Sequence, residues 1–382
     1  MSKHDSAAPT GFDVSRDWAI LIPQELSAGL LAGTDLSRLV GLLRTQAGLS
    51  SKGPPPLLDA SRPVDETRPI IVLNASAKAE TGHKNGYSWR TGMDRIEIYG
   101  ASDRGLCNGV YDFLSALDIR WPRPGREILP QPSTGDPQQY PLNVAGAYQT
   151  DNTEIATRRR LVISRETPRQ NQEAALVWAV RNRIDAITLP LQEDIQSLAA
   201  LIGQARQKRE ALISLAKRYA LTIEIGGWDL SALVPRRYFL SKNEAFRMEE
   251  GKRVKEHNFC PTSPDAIALL NEEAARCFRT YPDITTFHLW PDRHAEHIWC
   301  SCPSCRAFSR EEQNRIAVNS AADVLATYNP NAQVSYYENS DDPAEIAIRP
   351  NMFALRHLPG EDGAEEAGLY LAEKLAATIT KG

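Results

Sequence analysis

Ile284-Thr-Thr-Phe-His-Leu-Trp-Pro-Asp292 decides the fold. Its apolar and β-branched residues read as a short buried strand, and Pro291 stops it before a carboxylate. Upstream, Ser263-Pro264 opens a helix that runs to about Tyr281, with serine as N-cap and proline at the first helical position. Downstream, Ser309-Arg-Glu-Glu312 is a capping box opening a helix to about Tyr328, and Gln333 to Tyr337 reads as the next strand. Helix, strand, helix, strand is the grammar of a parallel sheet, because parallel neighbours need a crossover between them.

The alternation extends both ways from this stretch. Arg160 to Ser164 reads as a first strand followed by a helix over Asn171 to Arg183. Ile184 to Leu191 is a second strand, followed by a long helix from Asp194 to Tyr219, and Leu221 to Gly226 is a third. Ile284 to Trp290 is then the fourth and Gln333 to Tyr337 the fifth. Met352 to Leu355 is the sixth, and Glu365 to Thr380 is expected to be a final helix. Short apolar strands in about six strand–helix units favour a (β/α) TIM-type barrel over an open sheet. A full barrel has eight units in about 250 residues. Residues 142–382 approach that length, but the loop from Trp228 to Cys260 uses many of them. Either two strands escape the pattern or the barrel is incomplete.

Before the barrel, the pattern is α+β. Trp18 to Pro23, Pro69 to Asn74 and Arg95 to Tyr99 read as strands; Glu25 to Gln46 and Asp103 to Leu117 read as amphipathic helices. The proline-rich stretch from Trp121 to Pro141 marks a boundary. The expected organisation is a flexible N-terminus over 1–16, an accessory domain over 17–135, and the barrel domain over 142–382. No catalytic constellation stands out in the accessory domain.

With 42% hydrophobic and 24% charged residues, the 382-residue chain has ordinary globular composition. A net charge of −4 without a basic stripe argues against nucleic-acid binding. No apolar run approaches the roughly 18 residues of a membrane span. Met1 to Thr10 lacks an apolar signal core, so the cytoplasm is the expected location unless a signal peptide has been trimmed. Oligomeric state is not legible.

Four of the six cysteines cluster: Cys300, Cys302 and Cys305 in one short run, and Cys260 forty residues before it. That is poor material for a disulfide framework and good material for a tetrahedral metal site. Cys260 ends the loop after the third strand, and the other three lie in the loop after the fourth. Such loops emerge on one face of a barrel, so four sulfurs can meet there around a structural zinc. His294 and His297 are alternative ligands. Cys107 and Cys277 fall in helices and read as core residues.

Barrel chemistry sits where strands end. The exits carry Trp228-Asp229, Trp290-Pro-Asp292, Tyr337-Glu338 and Arg356-His357, with Glu361 and Asp362 beyond. Aromatic faces and carboxylates together suit sugars, and glycoside cleavage needs a carboxylic acid and a second group as base or nucleophile. Asp292 is the candidate acid and Glu338 its partner. Trp228, Asp229, Trp290, Tyr337 and His357 are candidate substrate contacts for an oligosaccharide or glycoside. His288 alternates with Phe287 and Leu289 and reads as a core histidine.

Several segments resemble known families. Gly100-Ala-Ser-Asp-Arg-Gly105, Val110-Tyr-Asp-Phe-Leu114 and Arg120-Trp-Pro-Arg-Pro-Gly125 are similar to the small domain preceding the barrel in bacterial hexosaminidases and α-glucuronidases. Trp178-Ala-Val-Arg-Asn182, His257-Asn-Phe-Cys-Pro-Thr-Ser263 and Trp299-Cys-Ser-Cys-Pro-Ser-Cys-Arg306 resemble domain-of-unknown-function family 4838, regarded as glycoside-hydrolase-like. The cysteine spacing is similar to the zinc site of family-42 β-galactosidases, which implies zinc on Cys260, Cys300, Cys302 and Cys305 and places Asp292 near the acid/base position. The chain departs from those enzymes with Pro291-Asp292 in place of Asn-Glu. It departs from hexosaminidases with Asp292-Arg293 in place of Asp-Glu. The resemblance therefore implies either a glycosidase or a non-catalytic carbohydrate-binding relative. A zinc-stabilised interaction module is a further alternative.

Overall fold

In a computed structural model, the described residues are 12–61, 67–75, 84–131, 147–150, 159–163, 169–191, 210–228, 230–292, 299–337, 345–358 and 369–374. The chain divides into two compact units. The first takes in residues through 157 together with 173–185 and 212–222, and the second holds the remainder. Among the described residues, no helix is long and apolar enough to cross a membrane.

The first unit is built on a six-stranded mixed sheet. Its strands are β1 (Ala19–Ile22), β2 (Leu57–Asp59), β3 (Ile70–Ala75), β4 (Tyr87–Thr91), β5 (Arg95–Gly100) and, after the hairpin β6 (Arg120–Arg123) and β7 (Arg126–Ile128), β8 (Ala147–Thr150). The order is β2-β1-β3-β5-β4-β8, with β4 antiparallel to both neighbours. Ala147–Thr150, on the barrel side of the expected boundary at residue 142, thus extends the first sheet. Phe12 and Val14 lie in the stretch expected to be flexible, yet both are buried, and the Phe12 ring meets Phe113 edge-on at 5.7 Å.

Helices α1 (Ser27–Gln46) and α2 (Asp103–Ala116) belong to this unit and pack together. The Gly100-to-Gly105 motif sets the approach of α2 to the sheet. A Cβ on Gly100 would stand 1.9 Å from the Leu106 nitrogen, so only glycine fits. Ser102 caps α2, and the Asp103 carboxylate accepts the Ala28 and Gly29 N–H groups at 2.8 and 2.7 Å, capping α1. The motif is a packing device. Helix α3 (Arg169–Arg181) sends Trp178 and Arg181 into the same unit, where the Trp178 indole donates to Trp121 O at 2.9 Å and Arg181 pairs with Asp35.

The second unit is a barrel. Strands β9 (Arg159–Ile163), β10 (Ala186–Leu189) and β11 (Thr222–Gly227) precede a loop holding the small ladder of β12 (Met248–Glu249) and β13 (Lys252–Arg253). Then come α4 (Pro264–Thr280), β14 (Thr286–Leu289), α5 (Arg310–Tyr328), β15 (Gln333–Tyr337), β16 (Met352–Leu358) and β17 (Leu369–Lys374). The closed order is β10-β11-β14-β15-β16-β17-β9. The helix starts follow their caps: the Ser263 hydroxyl accepts the Ala266 N–H, and Ser309 and Glu312 complete a capping box.

One expectation is corrected here. Leu369–Lys374, within the segment expected to be a final helix, is strand β17. The barrel expectation holds: among the described residues the six expected strands and β17 form a closed barrel, with β17 antiparallel to both β16 and β9. Without it, two strand edges would carry unpaired N–H and C=O groups; β17 satisfies both at once.

Candidate functional site

The cysteine cluster is assembled by two loops. Cys260 precedes α4, and Cys300, Cys302 and Cys305 precede α5; all four are buried and their sulfurs lie within 4.8 Å of one another. Cys260 Sγ stands 3.8 Å from Cys302 Sγ and 3.6 Å from Cys305 Sγ. A metal with sulfur ligands at about 2.3 Å has tetrahedral edges of about 3.8 Å, so the spacing fits a four-thiolate ion and exceeds an S–S bond by far.

The surroundings favour thiolates. The Met248 N–H points at Cys300 Sγ at 3.2 Å, Arg253 Nη1 lies 3.8 Å from the same sulfur, and Thr262 Oγ1 is 3.1 Å from Cys305 Sγ. The Cys300 N–H is held by Gln313 of α5 at 3.1 Å, which fixes the loop to a rigid helix. The thiols compete for charge. Hydrogen bonds from Cys300 and Cys305 draw the Cys260 thiol well below its usual range; the same contact pushes Cys300 up to about 11 and Cys305 far up. A divalent cation bound by the thiolates would remove that competition. His294 and His297 lie outside the described residues. Cys107 is buried in α2, where burial pushes its thiol up to about 12, and Cys277 is half-buried in α4.

At the strand exits, three of the expected aromatic residues come together. Trp228 follows β11, Trp290 follows β14 and Tyr337 ends β15. The Trp228 and Trp290 rings meet edge-on at 4.8 Å, and Trp290 and Tyr337 at 6.2 Å. Trp290 is buried, while Trp228 and Tyr337 are half-buried against it. Gly226 allows β11 and β14 to approach this closely: its φ is +123°, and a Cβ there would meet His288 O at 1.9 Å.

Asp292 lies two residues beyond Trp290. Its side chain is 29% exposed, with Oδ2 3.7 Å from His257 Nδ1. Its backbone N–H donates to the Asn258 side chain at 3.1 Å. Asp229, Glu338, Glu361 and Asp362 lie outside the described residues. His357 falls within β16, paired with Ala372 of β17, because that strand continues beyond Leu355.

Inside the barrel is a network that sequence reading misses apart from His288. Arg160 Nε of β9 lies 2.7 Å from Glu224 Oε2 of β11, and His288 Nε2 of β14 lies 2.8 Å from the same oxygen. His288 Nδ1 is 2.6 Å from Ser335 Oγ, to which the Trp290 indole N–H donates at 3.0 Å. Burial lowers the His288 pKa from its ordinary value, while the Glu224 carboxylate opposes the shift. Burial acts against the Glu224 carboxylate, but His288 and Arg160 hold it below the usual carboxylate range. Trp290 thus donates to Ser335, and the His288 ring joins Ser335 on one side to Glu224 on the other. The signal for Glu224 was a lone carboxylate in the apolar run Leu221-Thr-Ile-Glu-Ile-Gly226.

No protein-family model matches the chain, and no curated protein sequence does. Solved structures do. The glycoside hydrolase family 20 β-N-acetylhexosaminidase of Streptomyces coelicolor A3(2) is 13% identical, with TM-score 0.55, covering 91% of this chain and 66% of its own. The N-acetyl-β-hexosaminidase of Streptomyces plicatus, solved in complex with Thio-NAglucal, is 16% identical, with TM-score 0.52, covering 86% and 62%. A glycoside hydrolase family 138 enzyme targeting the pectin rhamnogalacturonan II is 9% identical, with TM-score 0.50, covering 84% and 44%. The chain thus spans two thirds or less of the length of these structures. At such identities the likeness is one of fold: a small domain with a mixed sheet and a TIM-type barrel, the glycoside-hydrolase-like arrangement.

Proposed function

We propose that this chain is a carbohydrate-active protein of the kind grouped in domain-of-unknown-function family 4838, hydrolysing a glycosidic bond at the C-terminal face of its barrel. The observation that carries the reading is the joining of Trp228, Trp290 and Tyr337 at three strand exits, with the partly exposed Asp292 carboxylate two residues past Trp290. Aromatic faces stack on sugar C–H groups, and the carboxyl group supplies the proton for the leaving oxygen. Glu338, at the exit of β15, serves as base or nucleophile. The proton network beneath holds the Trp290 indole in one orientation.

The four cysteines hold one zinc ion as a structural clamp, as the likeness of their spacing to family-42 β-galactosidases suggests. Four thiolates fill a tetrahedral shell, so this zinc supplies no catalytic water.

A panel of chromogenic glycosides tests the reading. Turnover of at least one, lowered about 10²–10⁴-fold in Asp292→Asn, is expected. Unchanged turnover in that variant removes Asp292 from the role. A second reading, carbohydrate binding without cleavage, is favoured by Arg293 standing where a hexosaminidase-type Asp-Glu pair would have glutamate. Calorimetric binding of an oligosaccharide with no turnover would establish it.

A further inference from the structure

The segment His257-Asn258-Phe259-Cys260 serves both parts of the site. At one end, Cys260 places its sulfur in the cysteine cluster. At the other, the fully buried Asn258 accepts the Asp292 backbone N–H at 3.1 Å, and His257 Nδ1 faces Asp292 Oδ2 at 3.7 Å. Between them, Phe259 is fully buried, bridges to Phe246 and meets Trp299 edge-on at 5.9 Å. The Cys260 N–H donates to Ala245 O at 3.0 Å.

The segment is also held against a conformational cost. His257 has a left-handed backbone, φ 63°, which a non-glycine residue keeps only where its surroundings impose it. Its carbonyl accepts a hydrogen bond from the Arg236 guanidinium. Asp292 itself follows the last contacts between β11 and β14, where the Trp290 N–H donates to Gly227 O at 2.9 Å. Cys300, eight residues after Asp292 in the sequence, belongs to the same cluster as Cys260.

We propose that Asn258 and His257 are positioning residues for Asp292, and that the four-cysteine cluster, acting through Cys260, keeps them in place. This rests on the reading of Asp292 as the site carboxylate. The amide side chain fixes the backbone direction at Asp292 and so aims its carboxyl group; an error of about 1 Å in such a group costs about 10²-fold in rate. A metal cluster suits the task because it ties four points of two loops to one centre.

Hydrogen exchange on the full chain tests the link, read at the Asp292 amide, with the Phe287 to Leu289 amides of β14 as reference. Asn258→Ala is expected to speed exchange at Asp292 about tenfold, the loss of one hydrogen bond to a buried acceptor, with zinc content and reference amides unchanged. Asn258→Asp keeps an acceptor oxygen and is expected to restore most of the protection. Chelating the metal should speed the same amide by a similar factor, and added zinc should reverse it. Unchanged Asp292 exchange in Asn258→Ala or after metal removal overturns the proposal. So does equal acceleration of the reference amides, which would make the cluster a support of the whole barrel. If no glycoside is turned over but both exchange effects appear, the catalytic reading fails and the positioning link stands. If Asp292→Asn abolishes turnover while exchange ignores Asn258, the link alone fails.

Discussion

The barrel unit buries two polar clusters, and they are balanced in different ways. In the interior, Arg160, Glu224, His288, Ser335 and Trp290 satisfy one another with side chains the sequence supplies. Around Cys260, four buried thiols crowd within 4.8 Å, and the contact with Cys260 pushes Cys300 and Cys305 up. The first cluster is complete as folded. The second has the spacing to take a cation. Buried polarity that closes on itself orients a strand exit; buried polarity that does not close marks a ligand.

Removing a sulfur is the strongest way to break that contrast. Cys302→Ser is expected to abolish zinc retention and to cost more than about 4 kcal/mol, as loss of a structural metal does. Chemical denaturation with zinc analysis checks this, and a cost under about 1 kcal/mol would make the thiols ordinary core residues. In the interior, Glu224→Ala removes the buried carboxylate that Arg160 and His288 share and is expected to cost about 3–5 kcal/mol. The double variant Arg160→Met with Glu224→Leu should recover most of that in urea unfolding, because both charges of the pair are removed together. Failure to recover would mean that the network holds more than its own charges. Ser335→Ala leaves the Trp290 N–H and His288 Nδ1 without their shared partner and should cost about 1–3 kcal/mol.

Acid gives the most gradual effect. His288 is depressed below its ordinary 6.5, so the unfolded chain takes up a proton first and stability falls as pH drops below 6.5. Glu224 is depressed below 4.5; its contribution is complete above 4.5 and is lost as pH falls through its lower folded value. Thermal midpoints between pH 3 and pH 8 should therefore decline in two stages, with Glu224→Gln shrinking the lower one, to which the depressed Glu97 and Glu127 also contribute. Zinc release in the same range would report the cysteine cluster separately.

What was legible in the sequence was local. The caps at Ser263 and Ser309 name their helices, because one side chain and one turn of backbone decide them. The cysteines were legible for a related reason: three share one loop, and barrel topology brings in the fourth. Trp228, Trp290 and Tyr337 were readable as strand ends. Strand β17 was not, since Leu369-Tyr-Leu-Ala-Glu-Lys374 sits in a run rich in helix formers, and what makes it extended is the open edges of neighbouring β16 and of β9, which is far away in sequence. Glu224 and Arg160 escaped because their pairing is a matter of register across a closed barrel, 64 residues apart in the chain. Asn258 escaped for the same reason, meeting Asp292 across 34 residues.

The most direct measurement is metal content in the full chain purified without chelator, read by elemental analysis beside a thiol titration. About one zinc per chain, lost in Cys302→Ser, is the expected result. No metal, with all four thiols titrating freely, would contradict a cluster completed by a cation.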